Sequence, residues 1–194
     1  MTDAPPNFKE IERIKRIADI MCTAHAGLHD RYHRLASFLD LLILGLSTWL
    51  VALSFVEPKT GAKLTPFGLE SGIWIGLLAV GTFFLTIVQL KTDWKRRASA
   101  HRRALDTFAA VKREAAYVIS QSEHDLIARR RIVDRYDMAS VVSIAIPEKE
   151  FTRQKSRHLI KIAVSRHLDT HPSASIALTR LRLWWRDNLS KEQR

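Results

Sequence analysis

Two stretches of this chain, Leu41 to Val56 and Ser71 to Leu90, contain no charged residue. A bilayer core takes about 20 residues of apolar helix, so both stretches can span one, the first when Phe38 to Asp40 are counted with it. The hydrophobic pattern continues past their ends. Between Phe8 and Val56 there is no proline. Ile11, Ile14, Ala18, Met21, Leu28, Tyr32, Leu35, Leu39, Leu42, Leu46, Trp49 and Leu53 follow one another at spacings of three and four, with His25 interrupting the seam. That period predicts one long helix, with Gly27 and Gly45 as tolerated weak points.

After Leu90 the same spacing runs through Ala98, His101, Leu105, Phe108, Val111, Ala115 and Val118, with no breaker before Ser120. The second apolar stretch is therefore expected to continue as a long helix too. Two helices joined by the short link Glu57 to Glu70 must be antiparallel neighbours, so their extensions can zip together as a neck with His25 and His101 at similar heights.

Ser122 with Asp125 resembles a capping box, predicting a helix from about Glu123 to Met138. Pro147 suits the first turn of a further helix to about Leu168, with Glu148 and Glu150 near its positive end. His171-Pro172 breaks that helix, and Ser173 or Ser175 can cap a last one to about Leu189. Ala139 to Ala145 can be extended, but one short strand finds no partner. The expectation is an all-α membrane protein: an N-terminal stalk helix (residues 1–36), a two-transmembrane hairpin (37–90, spans about 38–56 and 70–90), and a cytosolic helical region or bundle (91–194).

Charge sharpens this picture. Residues 1–36 carry six Lys or Arg against five acids, residues 37–90 two against three, and residues 91–194 twenty-three against twelve, giving +1, −1 and +11, so that nearly all of the chain's net charge of +11 lies after the second stretch. Basic flanks stay cytoplasmic, and Arg31 and Arg34 precede the first span while Lys91, Lys95, Arg96 and Arg97 follow the second. The link offers only Lys59 and Lys63. Both termini are expected in the cytosol of a multi-pass protein. The first apolar stretch begins about forty residues in, behind a charged segment, unlike a cleaved signal peptide. The single cysteine, Cys22, forms no internal disulfide and no multi-cysteine zinc site, and is expected in a helix seam.

Several residues are candidates for chemistry. His25, His29 and His33 recur every four residues, a spacing that can chelate a metal, but HDRYH lacks the glutamate of a zincin motif and an exposed or seam role fits equally. In the first span Asp40, Ser47 and Ser54 are seven apart. In the second, Ser71, Thr82, Thr86 and Gln89 fall within one arc. These stripes fit the lining of a water-filled path in an oligomer; they also fit hydroxyls bonded to backbone, with Asp40 at the inner interface near Gln89 and Lys91. Gly72-x-x-x-Gly76 fits close helix approach. In the last helix Ala177, Leu178, Leu181, Trp184, Trp185 and Leu189 share a face edged by Arg180 and Arg182, which suits either an anionic headgroup region or packing on a bundle. Arg129-Arg130-Arg131 reads as a solvated face. No phosphate loop, nucleophile elbow or metal-plus-base set is visible, so neither an enzyme nor a cofactor is expected.

The cytosolic helix feeding two spans, the run WKRRASAHRRALDTFAAVKRE from Trp94 to Glu114, and the break at Ile146-Pro147 before an amphipathic helix together resemble the SLATT family of two-transmembrane effectors. The resemblance covers most of the chain. It implies a homo-oligomeric effector of a bacterial anti-phage conflict system that opens or perturbs the inner membrane. It also implies association with a cyclic-oligonucleotide synthase, a SLOG-type sensor or a reverse transcriptase. The family supplies no catalytic residues. The chain shows no fused sensor domain, so the expected trigger is a partner. The alternative is a non-pore scaffold that holds a nucleic-acid- or nucleotide-processing partner on its basic surface.

Overall fold

In the computed structural model the described residues are 7–56, 65–66, 69–121 and 126–189. They form six helices and, among the described residues, no strand: α1 (Phe8–Phe55), α2 (Ser71–Thr92), α3 (Trp94–Ser120), α4 (Leu126–Val142), α5 (Glu148–Thr170) and α6 (Ile176–Leu189). The capping box at Ser122 and Asp125 lies outside the described residues, as do Lys59, Lys63 and most of the link between the apolar stretches. By its packing the chain divides into two units, Met1–Gly27 with His101–Arg194, and Leu28–Ala100.

The core of the first unit is the seam between α1 and α3. Ile11, Ile14 and Ala18 meet Phe108, Val111, Ala115 and Val118, all buried, and Ile132 and Ala139 of α4 close the cluster. Ala18 and Ala115 have no side chain beyond a methyl, which lets the two backbones approach closely. The pairs Asp19 with Lys112, Cys22 with Leu105 and His25 with His101 run in opposite directions along the two helices, so the contact is antiparallel. Phe108 anchors it, stacked on His25 at 5.7 Å and tilted against Tyr136 at 6.5 Å. Arg135 of α4 reaches Glu114 at 2.7 Å, and Arg129 lies 4.8 Å over the ring of Phe8. The triple-arginine run is therefore partly engaged with α1 and α3, since Arg131 also faces Glu114 at 3.9 Å.

Pro147 stands at the N-cap of α5, with Glu148 and Glu150 in its first turn. His171 ends the helix. Ser175 directly precedes α6 and accepts the first backbone bond, from Thr179 at 3.0 Å.

In the second unit His29 Nδ1 lies 3.0 Å from the carbonyl of Ala98, and Asp40 bonds to Gln89, again with residue numbers running in opposite directions. Both apolar stretches sit on helices long and apolar enough to cross a membrane. Only 11% of the residues in the first 18-residue window are buried, and none in the second. A core helix of a soluble domain would hide most of them. Here Phe38, Leu44, Phe83 and Leu90 point outward.

Three expectations change. The helix after Leu90 is interrupted at Asp93, which adopts the left-handed conformation at φ 47. Aspartate tolerates that region better than most side chains. The bonds Asp93 N–H to Gln89 and Arg97 N–H to Asp93 keep the chain on course, so the apolar spacing passes through the break unmarked. Second, α4 continues to Val142, so Ala139 to Val142 are helical rather than extended. Third, Leu35, Leu42 and Trp49 of the proposed seam are exposed, while Ala24 and Ala36 are buried.

Replacing Phe108 by alanine is expected to destabilise the first unit by about 3–5 kcal/mol, because it leaves a cavity where α1, α3 and α4 meet. Thermal unfolding followed by circular dichroism in detergent measures it. A loss below about 1 kcal/mol would show that the ring is not the anchor.

Candidate functional site

Three polar groupings stand out against this helical frame, two in the first unit and one in the second. The most enclosed is the histidine pair. Spacing along α1 and α3 puts His25 and His101 at seam positions, where they replace a hydrophobic contact by a ring-to-ring hydrogen bond of 3.0 Å between the two Nδ1 atoms. One ring donates and the other accepts, which requires at least one of the two to be neutral. His25 is wholly buried, and its Nε2 has no hydrogen-bond partner. Burial first, and the neighbouring His101 second, lower the His25 pKa to about 4. At neutral pH it is an uncharged packing element against Phe108.

The second grouping centres on Asp19 of α1. Lys112 of α3 stands 2.6 Å from its carboxylate, and Nε2 of His158 from α5 faces the other oxygen at 3.8 Å. The opposite ring nitrogen of His158 meets the Thr23 hydroxyl at 2.8 Å. Cys22, one residue along, is half-buried beside the Leu105 carbonyl at 3.9 Å. Burial pushes its thiol pKa up, against the nearby Lys112, so it remains a thiol at neutral pH. None of Asp19, Thr23, Lys112, Gln154 or His158 stands out in the sequence. The one signal that could have found the α5 pair is the i, i+4 spacing of Gln154 and His158 on a single helix face.

In the second unit, Gln89 donates to the carboxylate of Asp40, and the ammonium of Lys95 sits 2.7 Å from its other oxygen. Gln89 stands beside Asp40 as the sequence predicts, and the cation is Lys95 in place of Lys91. The hydroxyls of Ser54, Thr82 and Thr86 donate to the carbonyls four residues earlier, at 2.9, 2.8 and 2.9 Å. Each thereby satisfies its proton inside its own helix, as an apolar environment demands. Ser47 is half-buried. Of the two stripes, Asp40 and Gln89 are in direct contact. His29 stacks on His33 at 5.8 Å rather than converging with it on a common point. Among the described residues no three His, Cys, Asp or Glu side chains gather to hold a metal ion.

The last helix divides its faces. Thr179 is buried, while Trp184 and Trp185 are 56% and 57% exposed, together with Leu178 and Leu181. The tryptophan face is thus not used to pack α6 onto its own unit. Arg180 and Arg182 open into different clefts, the first beside Arg157 and Lys161, the second beside Arg166 and His167.

No protein-family model, no curated protein and no solved structure matches this chain.

The histidine pair sets a pH dependence. An unfolded histidine titrates near 6.5 and His25 in the fold near 4, so the unfolded chain binds the extra proton first as pH falls. Stability is complete above pH 6.5 and declines between about 6.5 and 4, by at most about 3 kcal/mol from this group. Unfolding midpoints recorded from pH 7 to pH 4 should show that loss, and His25→Leu should flatten it; an identical slope in the variant would assign the effect to other groups.

Proposed function

We propose that the chain is a two-span effector of the bacterial inner membrane, of the SLATT type, in which α1 and α2 form a transmembrane hairpin and the helices after it form a cytosolic bundle. The observation that carries this reading is the outward-facing apolar surface of two helices long enough to span a bilayer, in a chain whose residues 91–194 hold a charge of +11. Lys91, Lys95, Arg96 and Arg97 then mark the cytosolic side of the second span, and Arg31 and Arg34 that of the first, so both termini face the cytosol. The Asp40 contact with Gln89 and Lys95 falls at that inner boundary, where a carboxylate can meet both water and a cation.

Two spans enclose no path by themselves. A pore requires several copies, with Asp40, Ser47, Ser54, Thr82, Thr86 and Gln89 as the polar lining. Satisfied hydroxyls remain acceptors, so the stripes stay wettable once helices from several copies surround them. Activation would come from a partner, with the bundle passing its movement to the spans.

Induced expression should depolarise cells when the activating partner is present, and the purified assembly should release dye from liposomes. Asp40→Asn and Thr86→Val should change the leak several-fold while insertion, read by membrane fractionation, is unchanged. Membranes that stay intact with the partner present would sink the pore. If partner binding then weakened steeply with salt, the basic scaffold would replace it.

A further inference from the structure

The first unit contains a cleft of about 770 Å³ between α1, α3, α5 and α6, within the size range of small-molecule sites. Its charge is one-sided. Lys112, Arg157, Lys161 and Arg180 line it against a single acid, Asp19, and Asp19 is already matched by Lys112 at 2.6 Å. Arg157, Lys161 and Arg180 form no ion pair among the described residues. Arg157 and Lys161 stand four apart on α5, a spacing at which like charges repel, and Arg180 adds a third charge from α6. Exposed cations alone would be a solvated face.

A buried group changes that reading. Gln154 lines the same cleft and is only 4% exposed. It packs against Gly27 of α1, where an added Cβ would lie 2.6 Å from Gln154 Oε1. An amide offers both a donor and an acceptor to whatever enters the cleft. Leu105 and Ile160 supply apolar wall beside it. The second cleft, beside Arg166 and His167, is also basic, but its buried hydroxyl on Thr179 is satisfied by the Ser175 carbonyl at 2.9 Å.

We propose that the cleft binds a soluble phosphorylated small molecule, with the phosphate held by Arg157, Lys161 and Arg180 and the uncharged polar part met by Gln154. Guanidinium forks match phosphate oxygens two at a time, and the lysine adds a mobile point charge. Bound there, the ligand ties α5 and α6 to the α1–α3 pair. Binding is independent of whether the spans form a pore, and is read separately from any leak.

The test uses the full chain in nanodiscs of neutral phosphatidylcholine, titrated with pyrophosphate and with ATP while melting temperature is followed. Both probes should raise the melting temperature. Arg157→Gln, Lys161→Gln and Arg180→Gln should each weaken the dissociation constant at least about tenfold. Arg103→Gln, an exposed charge outside the cleft, should leave it unchanged. Gln154→Leu should weaken ATP more than pyrophosphate, because it removes the contact to the organic part. No response to either probe at millimolar concentration, or an equal response in the cleft variants and the Arg103 control, would overturn the site. A response that appears only in phosphatidylglycerol nanodiscs without added phosphate would assign the cleft to a lipid headgroup and overturn a soluble ligand. Equal weakening of both probes by Gln154→Leu would reduce that residue to packing.

Discussion

Close antiparallel approach of α1 and α3 is the constraint from which the rest of the first unit follows. Alanines at 18 and 115 remove the side chains that would hold the backbones apart, and Phe108 fills the space that a purely small seam would leave empty. Burying each large aliphatic or aromatic side chain there contributes about 1.5–3 kcal/mol. Once the register is set, it places His25 opposite His101, Asp19 opposite Lys112 and Cys22 opposite Leu105 without further choice. The polar groupings are consequences of the apolar one.

The second unit reverses the economy of the first. Its buried apolar side chains are few, among them Ala36, Leu39 and Leu53, and its large ones face outward. What holds its helices is a mixture of those contacts with the Asp40, Gln89 and Lys95 cluster at one end. The hydroxyls of Thr48, Ser54, Thr82 and Thr86 turn back onto their own helix, while the indole N–H of Trp74 has no partner among the described residues. Hydroxyls closed in this way are compatible with a hydrocarbon environment.

Legibility in the sequence followed the contrast between polar and apolar positions. On α3 the contrast is sharp, because the seam runs through a field of arginines and lysines, and its predicted members are buried except for the half-buried Leu105. On α1 between Leu35 and Trp49 the contrast vanishes. When nearly every neighbour is apolar, a spacing of three and four can be drawn along several faces, and the chosen one included the exposed Leu35, Leu42 and Trp49. The turn at Asp93 was hidden because one residue in a left-handed conformation barely disturbs the spacing on either side. Gln154 and His158 were missed for the opposite reason: polar residues on a basic helix read as solvated, and only their tertiary neighbours Gly27, Thr23 and Asp19 make them interior. The same limit applied to the tryptophans, whose grouping on one face was visible but whose exposure was not.

The basic excess therefore needs more than one explanation. Orientation in a membrane is set by positive residues within about 15–20 positions of a span, which accounts for Lys91, Lys95, Arg96 and Arg97 in the proposed arrangement. A second group is consumed structurally: Lys112 by Asp19, Arg131 and Arg135 by Glu114. Arg157, Lys161 and Arg180 belong to neither group. They lie far beyond the flank that decides topology, they have no acidic partner among the described residues, and they share one cleft with the buried Gln154. Repulsion among them is a standing cost to the fold unless something anionic enters. A ligand that removes that cost would stabilise the contact of α5 and α6 with the α1–α3 seam, the same seam whose two helices lead along the chain into both apolar stretches.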